Sequence, residues 1–158
     1  MGVEIERKFL ICSDAWRKDV VSAVPMMQGY LCEGGTTVRV RIEGDKAFLT
    51  IKGKAVGIVR PEYQYPLPLE DARQMLDSLC VGSIVNKTRY CVPAANGLMW
   101  EIDEYHGENA PLFTAEIELP DAETVFDVPQ WLGEDVSLDR RYSNRALSIN
   151  PYSKWDAE

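Results

Sequence analysis

Histidine and cysteine are too sparse in this chain for the commonest metal and nucleophile chemistries. There is one histidine, His106, in the turn-like run Tyr105-His106-Gly107-Glu108-Asn109. The four cysteines, Cys12, Cys32, Cys80 and Cys91, include no Cys-x-x-C pair. A zinc site lacks its second histidine, and no Ser-His-Asp or Cys-His set competes for the role of nucleophile. The cysteines are expected to be reduced, mostly buried thiols of a cytosolic chain. A basic surplus is missing too. The chain carries 17 Lys+Arg against 25 Asp+Glu, a formal net charge of −8, which argues against a general binder of nucleic acid or anionic membrane. Uncharged stretches such as Val20–Leu31 are too short or too polar to span a bilayer. Glu4 and Glu6 fall where a signal peptide needs apolar residues, so the cytoplasm is the expected location. Repeats and low-complexity tracts are also absent, and one domain over residues 1–158 is expected.

What the sequence does have is period-two alternation rich in Val, Ile, Phe and Tyr. Eight strands are expected, at about 3–11, 26–32, 37–43, 46–52, 58–67, 84–92, 98–105 and 112–119. Glu33-Gly34-Gly35 and Glu43-Gly44-Asp45 read as hairpin turns, and Gly53–Gly57 as a looser loop. Ser13 is a plausible N-cap for a helix running to about Val24, stopped by Pro25. Further helices are expected over Glu70–Leu79 and Tyr142–Ile149, with at most a short turn in Asp121–Leu132 and a frayed tail from Lys154.

The polar positions of those strands are unusual. Residues i and i+2 share a face, so Glu4, Glu6 and Lys8 lie together opposite Val3, Ile5 and Phe9. By the same rule Arg39 and Arg41, Thr50 and Lys52, Arg60, Glu62 and Gln64, Lys87 and Arg89, Glu101 and Asp103, and Glu116 and Glu118 fill polar faces. A solvated antiparallel sheet explains any one doublet. It explains the set poorly, because like charges repeat about 7 Å apart along single strands. The face holds seven bases and seven acids, so the −8 belongs to the rest of the molecule. Carboxylate pairs hold hard divalent cations through oxygen, while Arg and Lys take phosphate oxygens. If the strands close, this face becomes a charged lumen with room for one small ligand, and the apolar face packs outward.

In order along the chain, Glu4-Ile5-Glu6-Arg7-Lys8, Arg39-Val40-Arg41, Thr50-Ile51-Lys52, Arg60-Pro61-Glu62, Lys87-Thr88-Arg89, Trp100-Glu101-Ile102-Asp103, Glu116-Ile117-Glu118 and Asp139-Arg140-Arg141-Tyr142-Ser143-Asn144 resemble the motifs of the CYTH domain superfamily, the triphosphate tunnel metalloenzymes. The resemblance covers about residues 3–150. It implies an α+β fold: an eight-stranded antiparallel closed β-barrel with a charged lumen and a few helices packed outside. It also implies Glu4, Glu6, Glu116 and Glu118 as metal carboxylates, with Asp103 completing the acidic side. Lys8, Arg39, Arg41, Lys52 and Arg89 would grip phosphate, supported by Arg60, Lys87 and Arg141. Glu62 is the group expected to orient the attacking water, with Lys8 and Arg89 stabilising developing charge. One position departs: where many members read R-x-E-x-E, this chain has Arg60-Pro61-Glu62-Tyr63-Gln64, losing one carboxylate at Gln64.

The activity so implied is hydrolysis of a triphosphate, foremost tripolyphosphate to diphosphate and phosphate, with Mg²⁺ or else Mn²⁺. Nucleoside or thiamine triphosphate, a class IV-type adenylyl cyclase reaction and a non-catalytic polyphosphate-binding module remain alternatives. The expected partner is a small anionic substrate, with no nucleic acid and no membrane, and a homodimer left open.

Overall fold

Each alternating segment becomes a strand, and the strands close on one another. The computed structural model describes residues 2–155. In chain order the strands are β1 (Val3–Ile11), β2 (Ser22–Tyr30), β3 (Thr37–Glu43), β4 (Lys46–Lys52), β5 (Val59–Leu67), β6 (Val81–Pro93), β7 (Met99–Tyr105), β8 (Phe113–Glu118) and β9 (Leu132–Asp135). The antiparallel order is β5-β4-β3-β2-β6-β7-β8-β1, and β1 also pairs with β5, which closes an eight-stranded barrel. The first residues of β1 lie on β5, with Glu4 opposite Arg60, while its last residues carry the short extra strand β9. Glu43 pairs with Lys46 across a tight turn in which Gly44 has φ +61°, a conformation that favours glycine.

The apolar face points outward and is covered in two main places. Phe9, Trp100, Ile102, Ala115 and Ile117 pack with Trp16, Trp131 and Leu132. Helix α1 (Leu69–Ser78) lays Ala72 and Leu76 against Val40 and Ala47 of β3 and β4. Helix α2 (Asn144–Ile149) behaves differently. Its Leu147, with Tyr142 and Val136, packs on Val85, Tyr105 and Leu112. Val85 and Tyr105 have the strand parity of Lys87 and Asp103, so α2 caps part of one barrel end rather than lying on the outer wall. Gly82 permits this approach: a Cβ there would stand 2.6 Å from the Ser148 carbonyl oxygen.

The structure corrects four expectations. The helix expected from Ser13 to Val24 is a 3-10 turn, Ala15–Asp19, and β2 begins at Ser22. Pro25 does not stop it, because its nitrogen faces the same side as its carbonyl, which accepts from Gly44 N beyond the end of β3. Strand β9 lies in a stretch with too few residues to show alternation. The four cysteines are free, but Cys12 is exposed and the others are half-buried rather than buried. Of the expected frayed tail, Tyr152–Lys154 forms a 3-10 turn and Trp155 packs edge-on against Tyr142; residues 156–158 lie outside those described.

Candidate active site

The inward face of the barrel encloses a cavity of about 970 Å³. Of the residues singled out in the sequence, Glu4, Glu6, Lys8, Arg39, Arg41, Lys52, Arg60, Glu62, Gln64, Lys87, Arg89, Glu101, Glu116 and Glu118 line it together. Thr50, Asp103 and Arg141 do not. Asp103 is on the inward face but completely buried beneath Lys87 and Arg89. Arg141 turns outward, paired with Asp139 at 2.7 Å and stacked 4.8 Å from the Trp155 ring centre, while its neighbour Arg140 lines the cavity instead.

Strand register decides which charges meet. Arg89 and Asp103 are direct partners on β6 and β7, and the guanidinium grips the carboxylate through two bonds of 2.8 and 2.9 Å. Lys87 Nζ donates to the same carboxylate at 2.8 Å. Burial alone would raise Asp103, but Arg89 and Lys87 outweigh it and hold the carboxyl down at about 2. Burial pushes Lys87 down to about 7, aided by the charges of Arg89 and Arg41 and only partly opposed by Asp103. With both oxygens occupied, Asp103 anchors the two bases.

Lys8 Nζ donates to the Tyr142 carbonyl at 2.9 Å and stands 3.5 Å from Glu116. Burial opposes the charge on Lys8, but Glu116 overrides it and raises its pKa. Glu116, shared by Lys8 and Arg89, is held well below the usual carboxylate range despite its burial. Lys52 bridges Glu4 at 2.6 Å and Glu62 at 3.4 Å. Glu6 fares worst: burial and the neighbouring charges of Glu116 and Glu4 push its carboxyl well above the ordinary value. Burial and Glu4 also raise Glu62. Burial, with Glu62 and Glu4, raises Glu118.

Arg39 is the mirror image of Glu6. It is buried, donates to Thr50 at 3.0 Å and Gln64 at 3.4 Å, and has an Nε with no partner. Burial and the charge of Arg41 lower it to about 10. Gln64 Oε1 accepts from both Thr50 and Arg39, so the carbonyl oxygen that replaces a carboxylate is already used inside the wall.

The comparisons with known proteins agree with this geometry. The CYTH domain model matches residues 2–148. The chain belongs to the CYTH family. Within it, the chain is 44% identical over 156 residues to the inorganic triphosphatase of Acetivibrio thermocellus, covering 98% of this chain and 99% of that one. The inorganic triphosphatase of Nitrosomonas europaea is 35% identical over 151 residues, covering 93% and 97%. A crystal structure of the inorganic triphosphatase NE1496 superposes with a TM-score of 0.68 at 32% identity, covering 94% of this chain and 96% of that one.

Sequence reasoning missed several residues of this CYTH tunnel. Gln28 of β2 accepts from Arg41 Nε at 2.9 Å. Asn144 accepts from Lys87 at 2.9 Å and donates to Tyr105 at 2.9 Å. Arg145 also lines the cavity. Gln28 was detectable as a polar residue at a lumen position of an otherwise apolar strand. Asn144 closes the Asp139–Asn144 motif but was given no role there, and Arg145 had no signal at all, because only the placement of α2 brings them to the tunnel. Among the described residues no helix is long and apolar enough to cross a membrane.

Proposed function

We propose that this CYTH protein is an inorganic triphosphatase, hydrolysing tripolyphosphate to diphosphate and phosphate with the help of Mg²⁺ or Mn²⁺. The observation that carries this reading is the pair of unbalanced charges in one tunnel: Arg39 without a carboxylate, and Glu6 crowded by carboxylates. An anion of several phosphates satisfies the first and a divalent cation the second, and a complex of the two satisfies both at once. The names of the two curated relatives support the choice of substrate.

The donor set fits a hard divalent cation. Glu4, Glu6, Glu116 and Glu118 supply carboxylate oxygens to the lumen, and Glu4 Oε1 is held at 2.6 Å by the Lys52 ammonium. Among the described residues no three acidic, histidine or cysteine side chains already converge as a metal cluster; Lys8, Lys52 and Arg89 hold the carboxylates in the meantime. When bound, the cation supplies charge neutralisation of the phosphate oxygens. The remaining work falls to the chain itself. Arg39, Arg41, Lys87 and Arg89 fix the phosphates, and their positions are set before substrate arrives by Thr50 and Gln64, Gln28, Asp103 and Asn144. Lys8 and Arg89 stabilise charge developing on the transferred group and leaving diphosphate. Glu62, raised by burial and by Glu4, accepts the proton of the attacking water. Asp103 and Arg141 are assigned no contact with substrate or cation.

The deciding experiment is phosphate release from tripolyphosphate, ATP and thiamine triphosphate, with Mg²⁺ and with EDTA, resolving cyclic AMP among the products. A Glu4→Gln/Glu6→Gln variant runs alongside. Metal-dependent turnover of tripolyphosphate far above ATP, lost in the variant, is expected. Cyclic AMP from ATP, or binding without turnover, would replace this reading.

A further inference from the structure

The tunnel's bases are not all paired. Among the described residues that line the tunnel, Arg39, Lys54, Arg60, Arg140 and Arg145 have no carboxylate within 4.0 Å, unlike Lys8, Arg41, Lys52, Lys87 and Arg89. Two of the unpaired arginines meet on one hydroxyl: Arg60 Nη2 and Arg145 Nη1 each lie 3.3 Å from Thr37 Oγ1. Arg39 shares the lumen face of β3 with Thr37, two residues on, and its buried Nε is unpartnered.

We propose that Arg145 and Arg60, joined across Thr37 and continued by Arg39, form a phosphate-binding subsite at the rim of the tunnel. The inference rests on the triphosphatase reading and adds to it a residue from outside the barrel. A guanidinium has five N–H donors in one plane. Arg145 spends three bonds, on the carbonyls of Gly34 at 2.6 Å and Cys32 at 3.1 Å and on Thr37. Its Nε and one Nη2 hydrogen are left over. Arg60 likewise uses its Nε on the Gly53 carbonyl at 2.9 Å and keeps its Nη1 group free. Gly34 and Gly35 leave open space beside Arg145, with nothing within 4 Å of where a side chain would begin. Fixed, charged, planar donors left over in a tunnel wall without a carboxylate suit phosphate oxygen. Carbonyl partners aim such donors without cancelling their charge.

The test separates charge from the latch that Arg145 provides for residues 32–34. Tripolyphosphate binding is measured by calorimetry in EDTA, and inorganic phosphate is tested as an inhibitor of Mg²⁺-supported turnover. Both use wild type, Arg145→Gln and Arg145→Lys. Loss of a charged donor pair should weaken tripolyphosphate about tenfold in Arg145→Gln, with a similar rise in the phosphate inhibition constant. Arg145→Lys, which keeps the charge but cannot hold both carbonyls in one plane, should recover most of the affinity. Wild-type affinity in Arg145→Gln with only a lowered melting temperature overturns the subsite. So does an Arg145→Lys that loses affinity and melting temperature together, as Arg145→Gln would through the latch alone. Arg145-dependent binding in a wild type that hydrolyses nothing would sustain the subsite and defeat the triphosphatase reading instead.

Discussion

Lys87 and Asp103 are both completely buried and stand 2.8 Å apart, yet Asp103 gives its second oxygen to Arg89. One carboxylate therefore anchors two bases, and Arg89 reaches on to Glu116 and Glu101 in the tunnel. This is how a buried wall can present basic groups to an anion without leaving each one alone in a medium of low polarity.

Asp103→Asn removes that shared anchor while keeping its shape. Breaking a buried pair strands the remaining charges and costs about 3–5 kcal/mol. Urea unfolding should show the midpoint falling by a corresponding amount, with tripolyphosphate restoring part of the loss. A wild-type midpoint would mean that Lys87 and Arg89 do not depend on Asp103.

Lys87, pushed down to about 7 from an ordinary 10.5, makes stability depend on pH. Between those values the unfolded chain holds a proton that the folded chain has released, so stability rises with pH. The folded state bears the full penalty below about pH 7 and is relieved as pH climbs toward 10.5. Lys87→Met should lack this rise, which denaturation at pH 7, 8, 9 and 10 would reveal as a flatter profile than wild type. Parallel profiles would show that Lys87 titrates normally.

Gln64→Glu places a carboxylate where Gln64 now accepts from Arg39 at 3.4 Å and Thr50 at 3.0 Å. The new charge neutralises the one deeply buried arginine left for substrate. Thermal stability should rise and the KM for tripolyphosphate should increase by about fivefold, equivalent to roughly 1 kcal/mol. A lower KM would assign the new carboxylate to the cation rather than to Arg39.

Gly82→Ala tests the cap. The glycine has φ +75°, and an added Cβ would meet the Ser148 carbonyl oxygen at 2.6 Å. Backbone strain and the clash together should cost about 1–3 kcal/mol. Because α2 carries Asn144, which holds Lys87, activity should fall along with the melting temperature. A variant with wild-type melting behaviour would show that α2 can shift without cost.

The lumen was legible because side-chain parity along a strand is a local property. Glu4, Glu6 and Lys8 share a face whatever they pair with, and the same holds for Arg39 and Arg41 or Lys87 and Arg89. That pattern made a charged lumen the consequence if the strands closed; closure into an eight-stranded barrel came from the family resemblance. The order of the motifs is what carried that resemblance. Pro25 misled because its effect depends on what lies beside it, and the end of β3 is not written near residue 25.

Alternation by itself thus determined which residues face inward and that acids and bases share one surface. Only the tertiary structure decided that Asp103 holds both Lys87 and Arg89, that Gln64 is spent on Arg39 and Thr50, and that Arg140 and Arg145 reach the tunnel while Arg141 turns away. Those outcomes depend on register between strands far apart in sequence and on where α2 docks. Both are set by closure of the whole barrel, which no local pattern encodes.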